Sequence, residues 1–360
     1  MKTKLLGRTP EELKQIALEA GLPAFAGKQM AQWLYQKRVR SIDEMTNLSK
    51  QGREVLAQQY EVGITEPVDV QTSRDGTKKY LFPVRCPVGA GHDEKVGAGH
   101  DEDSFIEAVM IPDEDRKTLC VSSQAGCKMG CKFCMTGRQG FHGNLTAADI
   151  VNQFFAIEEA GDLTNAVFMG MGEPLDNWDE VKRAIEILTA EWGLAWSPKR
   201  ITLSTIGVLP KLKLFLEESK CHLAVSLHNP FPEERAELMP VQKAWSITEI
   251  VRLIKQYNFT GQRRVSFEYT VFEGWNDTAR HAEALIRLLK NLECRVNLIR
   301  FHKIPDFPYG PASAEKMEAF KNRLNDGGLT ATIRASRGED IFAACGLLAG
   351  KHRDSSLRSE

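Results

Sequence analysis

The sequence has no long apolar run. No stretch approaches the roughly 18 consecutive apolar residues that read as a bilayer-spanning helix. Met1 to Leu13 mixes charged residues with short apolar pieces, where a secretory signal would carry its apolar core. On that reading export and membrane residence are excluded, and the chain is expected in the cytoplasm. Net charge is also nearly absent: 47 Lys and Arg against 48 Asp and Glu leave −1, with a pI near 6.7. The strongly basic footprint of many nucleic-acid-binding domains is therefore missing. Any RNA contact must fall to local patches, of which Lys37, Arg38 and Arg40, then Arg74, Lys78 and Lys79, then Arg263 and Arg264 are the candidates. Cysteine is too sparse for a disulfide scaffold. Eight in 360 residues, without an export signal, read as reduced thiols, metal ligands or catalytic groups. What is present is an ordinary globular balance, 42% hydrophobic and 26% charged, enough for one large domain and a smaller one.

The first 60 residues read as helical. Thr9 and Glu12 frame a capping box with Pro10 at the first helical position, and Leu13, Ile16, Ala17 and Ala20 follow at helical spacing before Gly21. A second helix carries Met30, Trp33 and Leu34; Ser41 and Glu44 repeat the capping signature, and a further helical stretch runs to about Tyr60. From Val68 to Val84 the pattern alternates around Asp75-Gly76, a hairpin signal, and another strand fits Phe105 to Ile111. Between them Val88-Gly-Ala-Gly-His-Asp-Glu94 is repeated as Val96-Gly-Ala-Gly-His-Asp-Glu102, an insertion that reads as a mobile surface loop.

From Thr118 onward short apolar segments alternate with helical patterns. The segments are Leu119 to Ser122, Ala166 to Met169, Ile201 to Thr205, Leu223 to Leu227, Val265 to Val271 and Val296 to Phe301; Trp178 to Trp192, Ser246 to Tyr257 and Thr278 to Leu292 show helical spacing. Repeated βα units of this kind predict an α/β fold, a partial (β/α)6 TIM-like barrel, preceded by the small N-terminal helical module and the hairpin extension. The organisation expected is 1–62 for the module, 63–117 for the extension with its insertion at 87–104, 118–335 for the barrel and 336–360 for a C-terminal segment. Functional groups are then expected at the carboxyl ends of the barrel strands.

Directly after the first barrel strand stands Cys127-Lys-Met-Gly-Cys131-Lys-Phe-Cys134, a C-x3-C-x2-C array in which Gly126 and Gly130 let the chain curl. Iron–sulfur clusters are held by cysteine thiolates, usually four for a cubane, so three close ligands leave one iron open to another molecule. A zinc site completed by Cys120 is the alternative reading of the same residues. The aromatic Phe133 matches the CxxxCxΦC motif of the radical S-adenosylmethionine superfamily.

The resemblance extends further. Leu119-Cys-Val-Ser-Ser-Gln-Ala-Gly-Cys127, Gln139-Gly-Phe141, Asn144-Leu-Thr146 and Arg337-Gly-Glu-Asp-Ile-Phe-Ala-Ala-Cys345-Gly346 resemble the RlmN/Cfr family of radical S-adenosylmethionine RNA adenine methyltransferases over essentially the whole chain. The resemblance implies a [4Fe-4S] cluster on Cys127, Cys131 and Cys134, and two molecules of S-adenosylmethionine per turnover. It makes Gly170-Met-Gly172-Glu173-Pro174 the GEP motif, whose carboxylate meets the cofactor's ammonium, and adds Ser204, Ser226, Leu227, His228 and Asn297 as further cofactor contacts. Cys345 corresponds to the methyl carrier, which loses a hydrogen atom to a 5′-deoxyadenosyl radical and bonds to the adenine. Glu107 then corresponds to the general base, and Cys120 to the thiol that frees the product by forming a disulfide with Cys345. The helical module is RNA-binding-like by the same resemblance.

Substrates implied are 23S ribosomal RNA and, for dual-specificity members, the adenine 3′ to the anticodon of transfer RNA. A monomer fed by a low-potential ferredoxin or flavodoxin is expected. Methylation at C2 is favoured by Gln139-Gly-Phe141 and its surroundings; a Cfr-type C8 methyltransferase and a zinc-stabilised, non-catalytic RNA-binding protein are the alternatives. Gly143, where many members have Arg, and Arg300-Phe-His302, where Pro-Tyr-Asn is frequent, depart from the family pattern. Cys86, Cys221 and Cys294 fall in no motif.

Overall fold

The computed structural model describes residues 2–85 and 104–350, so the repeated insertion at 88–102 and Cys86 lie outside the described residues. One ten-stranded sheet dominates, and its spatial order follows the chain. Its strands are β1 (Asp69–Thr72), β2 (Lys78–Val84), β3 (Ser104–Asp113), β4 (Arg116–Cys120), β5 (Asn165–Phe168), β6 (Ile201–Thr205), β7 (His222–Ser226), β8 (Val265–Val271), β9 (Arg295–Arg300) and β10 (Thr330–Ile333). The first four pair antiparallel, and β4 to β10 pair parallel. The hairpin extension is thus continuous with the barrel wall: β3 and β4 pair from Val109↔Cys120 to Asp113↔Arg116.

All six barrel strands expected from the sequence are present, with ends shifted by up to three residues, and β10 is a seventh that the pattern does not reveal. Its Thr-Ala-Thr-Ile carries too few apolar residues to register, and it closes the wall by pairing with β9. Helices Trp178–Thr189, Ile247–Ile254 and Ala279–Leu289 stand where helical spacing places them. Each turns an apolar stripe inward, such as Ile247, Ile250, Val251 and Ile254.

In the N-terminal module, Thr9 caps the helix Pro10–Glu19 with both arms of the capping box in place. The stretch expected to run from Ser41 to Tyr60 is broken. Ser41 and Glu44 cap only a single 3-10 turn, Ile42–Glu44, and a separate helix, Lys50–Gln59, starts anew where Ser49 Oγ accepts from the Gly52 N–H. The module docks on two barrel helices, Ala147–Phe155 through Lys4 and Asp149 at 3.2 Å and Trp178–Thr189 through Glu12 and Arg183 at 2.8 Å, and just past it the Thr65 backbone exchanges hydrogen bonds with Asn152 at 2.8 Å each way. No helix among the described residues is long and apolar enough to cross a membrane.

Candidate active site

The cluster loop leaves β4 at the carboxyl end of the barrel wall. Gly126, at φ +71°, turns the chain so that the Cys127 N–H donates to Gly140 O at 2.8 Å; Gly130, at φ +61°, makes the second turn. The Cys134 N–H returns to Cys131 O at 3.2 Å, and the Lys132 N–H donates to Leu238 O at 2.9 Å. The loop is thereby pinned on itself and to the helix Pro232–Leu238. Phe133, the aromatic of the motif, sits edge-on to His228 at 4.9 Å and Phe272 at 5.7 Å.

Cys127, Cys131 and Cys134 line one cavity of about 160 Å³. Burial foremost, with the charges of neighbouring thiols added, raises all three: Cys127 to about 12, Cys131 well above the usual thiol range, and Cys134 upward. Thiols this reluctant to ionise become thiolates when a cation binds them. Cys120, the fourth ligand a zinc site would need, lines a different cavity. The closed zinc site that would hold a non-catalytic fold takes four protein ligands, whereas a cubane accepts three cysteine thiolates and leaves one iron open. The donor set therefore fits a cluster.

The same cavity is lined by Gly172, Glu173, Ser204, Ser226, His228 and Cys345. Glu173 is buried, and burial raises its carboxyl to about 7 despite three donors. Those donors are Thr205 Oγ1 at 2.6 Å, the Ile206 N–H at 2.9 Å and the Leu175 N–H at 3.0 Å. The carboxylate thus braces its loop against β6 as well as lining the cavity. His228, at φ +54°, accepts from the Thr270 N–H through Nδ1 at 3.0 Å, and burial lowers its imidazole to about 3, so it stands neutral.

Two expected cofactor contacts lie apart. Leu227 is wholly buried and its N–H donates to Glu268 O, while Asn297 points into a lower chamber of the barrel, giving Nδ2 to Glu268 at 2.8 Å and accepting from Thr332 at 3.0 Å.

Cys345 lines both this cavity and an adjoining one of about 100 Å³ that also contains Cys120. Cys345 is exposed and Cys120 buried; burial, reinforced by the charge of Cys345, pushes the Cys120 thiol to about 12. Arg334, beyond β10, lines both cavities, as does Arg300, and the Arg334 charge acts on both thiols. Glu107 borders neither cavity's described lining. Its Oε1 meets Lys79 Nζ at 2.9 Å, and its Oε2 accepts from the N–H groups of Ala349 at 2.7 Å and Gly350 at 3.1 Å. The base expected from sequence thus clasps the chain just beyond Cys345.

Three residues here escaped the sequence reading. Arg334 follows the strand whose pattern was silent. Glu268, buried in β8 between Ser266, Asn297 and Arg334, carried a usable signal: a carboxylate inside an apolar strand is rare without a partner. Arg235, wholly buried behind the cluster loop, carried the same signal on a helix.

The basic patches proposed for RNA are largely committed to protein. Arg38 donates to Ala160 O and lies over Phe155; Arg40 pairs with Glu66, Lys78 with Glu158 and Glu159, and Lys79 with Glu107; Arg263 donates to the carbonyls of Leu216 and Ser219. Lys37 rests over Trp33, with Nζ 3.6 Å from the ring centre. Charge clusters in sequence mark tie points here rather than one phosphate-binding face.

The chain matches the Radical SAM superfamily over residues 121–289 and the ribosomal RNA large subunit methyltransferase N-terminal domain over residues 3–62. It is 56% identical to the probable dual-specificity RNA methyltransferase RlmN of Porphyromonas gingivalis, over 99% of this chain and 96% of that protein. It is 39% identical to the dual-specificity RNA methyltransferase RlmN of Syntrophus aciditrophicus, over 96% of each. A radical SAM methyltransferase from Sphaerobacter thermophilus superposes with a TM-score of 0.86 at 38% identity, covering 97% of this chain and 100% of that one.

Proposed function

The chain belongs to the RlmN family of radical S-adenosylmethionine RNA methyltransferases, and from that premise we propose that it methylates C2 of an adenine in 23S ribosomal RNA and of the adenine 3′ to the anticodon in transfer RNA. The observation that carries the assignment of roles is the placement of Cys345, which lines one cavity with Cys127, Cys131 and Cys134 and the next with Cys120. A thiol in that position can serve as a carrier, reaching the cluster side and the release side without crossing the barrel.

Cys127, Cys131 and Cys134 hold the [4Fe-4S] cluster, and Gly172, Glu173, Ser204, Ser226 and His228 form the walls that receive S-adenosylmethionine. When bound, these groups supply the methyl group and the one-electron chemistry that makes the carrier's methyl carbon reactive. Cys345 Sγ takes the methyl group from one S-adenosylmethionine by displacement, and a second molecule is used in activating it. The carrier carbon, having given one hydrogen atom to the deoxyadenosyl fragment of that second molecule, bonds to C2 of adenine, Glu107 accepts the C2 proton, and the surplus electron would return to the cluster that Cys127, Cys131 and Cys134 would hold. Cys120 Sγ then attacks Cys345 Sγ. The carbon–sulfur bond breaks toward carbon, which takes a proton to become the product methyl group, and the disulfide is reduced before the next turnover.

Two features of the resting arrangement bear on these steps. Cys120 is a thiol at neutral pH, and Arg334 is a cation available to whichever sulfur ionises. Both oxygens of Glu107 are engaged, so proton transfer to it follows release of Ala349 and Gly350. The enzyme acts as a monomer, and a low-potential ferredoxin or flavodoxin supplies its electrons.

The test is anaerobic reconstitution with iron and sulfide, then incubation with S-adenosylmethionine, reductant and unmodified 23S fragments or transfer RNA, with nucleosides read by mass spectrometry. Expected is 2-methyladenosine, lost in Cys345→Ala. Finding 8-methyladenosine would replace the C2 assignment with C8, and cofactor cleavage without base methylation would remove the substrates proposed.

A further inference from the structure

Arg235 is the largest side chain among those wholly buried in the described residues. It projects from the helix Pro232–Leu238. Four hydrogen bonds hold it: Nε to Leu227 O at 3.1 Å, Nη2 to Ser226 O at 3.0 Å and to Ile206 O at 3.3 Å, and Nη1 to Gln242 Oε1 at 2.6 Å. Every acceptor is neutral. Its neighbour Glu234 is spent elsewhere, on Arg280 at 2.6 Å and His281 at 2.7 Å. A buried guanidinium ordinarily has an anionic partner, and Arg235 has none among its hydrogen-bond acceptors.

The end of this helix is tied to the cluster loop, because the Lys132 N–H, next to Cys131, donates to Leu238 O at 2.9 Å. Met239, the following residue, lines the cavity with Cys131. Ile206 and Ser226, whose carbonyls Arg235 Nη2 holds, line that same cavity. Guanidinium remains protonated at any physiological pH, and in a dry site its field is weakly screened.

We propose that Arg235 is a positioning residue for the cluster's electrons: its uncompensated buried charge, held against the Ile206 and Ser226 wall of the cysteine-lined cavity, favours the reduced cluster and raises its reduction potential. Adding an electron to a cluster adds a negative charge, and net charge around the cluster is one of the protein's levers on potential. The three carbonyls Arg235 satisfies, at the ends of β6 and β7, need donors but not a cation. A neutral donor would satisfy them, so the charge is the part left for the cluster.

The inference rests on the cluster assignment made above, and the test separates the two. The full chain is reconstituted anaerobically, iron is counted, and a redox titration followed by electron paramagnetic resonance gives the midpoint potential with and without S-adenosylmethionine. Gln242→Glu is the decisive variant. It leaves Arg235 and its carbonyl bonds in place and supplies an isosteric carboxylate at the 2.6 Å contact, which the adjacent guanidinium keeps ionised.

Gln242→Glu and Arg235→Gln should each make reduction about tenfold less favourable, which is 59 mV lower for one electron. Arg235→Lys, which restores charge but not the four-bond geometry, should recover most of the loss. An unchanged potential in iron-loaded Gln242→Glu, or an Arg235→Lys potential as low as that of Arg235→Gln, would leave Arg235 a purely structural brace and overturn the inference. If Arg235→Gln does not load iron, Gln242→Glu decides alone. Failure of the unsubstituted chain to load iron would overturn the cluster assignment together with the inference.

Discussion

The loop Cys127 to Cys134 and the segment Arg337 to Gly350 bring cysteine to the same cavity, yet they are held in different ways. The loop grows from the barrel wall, turns on two left-handed glycines, and ties its own amides to Gly140, Cys131 and Leu238. Of its thiols Cys131 is buried, and Cys127 and Cys134 are half-buried. The C-terminal segment has one 3-10 turn, Glu339–Ile341, as its only regular structure, and Cys345 is exposed on it. It is hung at two places. Asp75 and Asp340 lash it to the hairpin turn, while Met135 N–H, Thr136 Oγ1, Gln139 Nε2 and Glu107 grip residues 346–350. A ligand that must hold a cluster through every turnover belongs on the first kind of support, and a carrier that must travel between two chemistries belongs on the second.

The sharpest division comes from deleting one sulfur on each support. Cys131→Ala should leave the protein unable to hold its cluster, with iron content and cofactor cleavage both at background. Cys345→Ala should keep iron and cleavage chemistry while RNA methylation disappears. Cys120→Ala should keep both and arrest the reaction with RNA covalently attached through Cys345, visible as a shifted band on a denaturing gel. Equal iron loss in all three would erase the distinction between the two supports.

Glu107 joins the supports, since it holds the carrier segment and is assigned the base. Glu107→Gln should lower methylation by about 10²- to 10⁴-fold, the usual worth of a positioned general base, with iron content unchanged. The amide oxygen can still accept from Ala349 or Gly350, but Lys79 loses its buried partner, a change that in general costs about 3–5 kcal/mol when one member of a buried pair is removed. Thermal denaturation run beside the activity assay separates the two: a variant that melts early yet methylates normally would assign Glu107 to support alone. Gly126→Ala should act on the loop only. A Cβ there would stand 2.0 Å from Gly140 O at φ +71°, and strain of that class costs about 1–3 kcal/mol. Iron retention under chelator challenge should fall while the exchange rates of amides 343–350 stay as they were.

Legibility in the sequence follows the same division. The loop stands out in the sequence because three cysteines and an aromatic fall within eight residues, and the fold brings those three cysteines to one cavity. The barrel strands were readable because short segments with apolar residues at two-residue spacing, such as Val265, Phe267, Tyr269 and Val271 of β8, recur between helical patterns. Strand β10 was not, being short and half polar, and with it went Arg334, a cation lining the cavities of both Cys120 and Cys345. Leu227 and Asn297 were placed by local resemblance, but one falls in the core and the other in a lower chamber. Three successive residues at a strand end cannot all face one cavity, because side chains alternate, so Ser226 and His228 line it and Leu227 does not. The grip of Glu107 on Ala349 and Gly350 joins positions 242 and 243 residues apart, and no local pattern encodes it.

The smallest effect tests the far lashing of the carrier segment. Asp75 accepts from the Thr77 N–H and the Gly338 N–H at 2.9 Å each. Partial burial works to raise its carboxyl, but these donors outweigh it and hold the group down to about 2, below its ordinary 3.8. A depressed carboxyl stabilises the fold above its unfolded value, and that contribution is lost as pH falls from 3.8 through 2. Because Asp75 is largely exposed, screening leaves about 1 kcal/mol of it at neutral pH. Asp75→Asn should therefore lower stability by about that amount at pH 7 and converge with the unsubstituted chain near pH 2. Since 1 kcal/mol is roughly a fivefold change in an opening equilibrium, hydrogen exchange at Gly338 and across 343–350 should quicken about fivefold, while the amides of Cys127, Lys132 and Cys134 keep their rates. Equal acceleration in the cluster loop would mean that the carrier segment and the loop open as one unit, and that Cys345 moves only when the cluster's own support does.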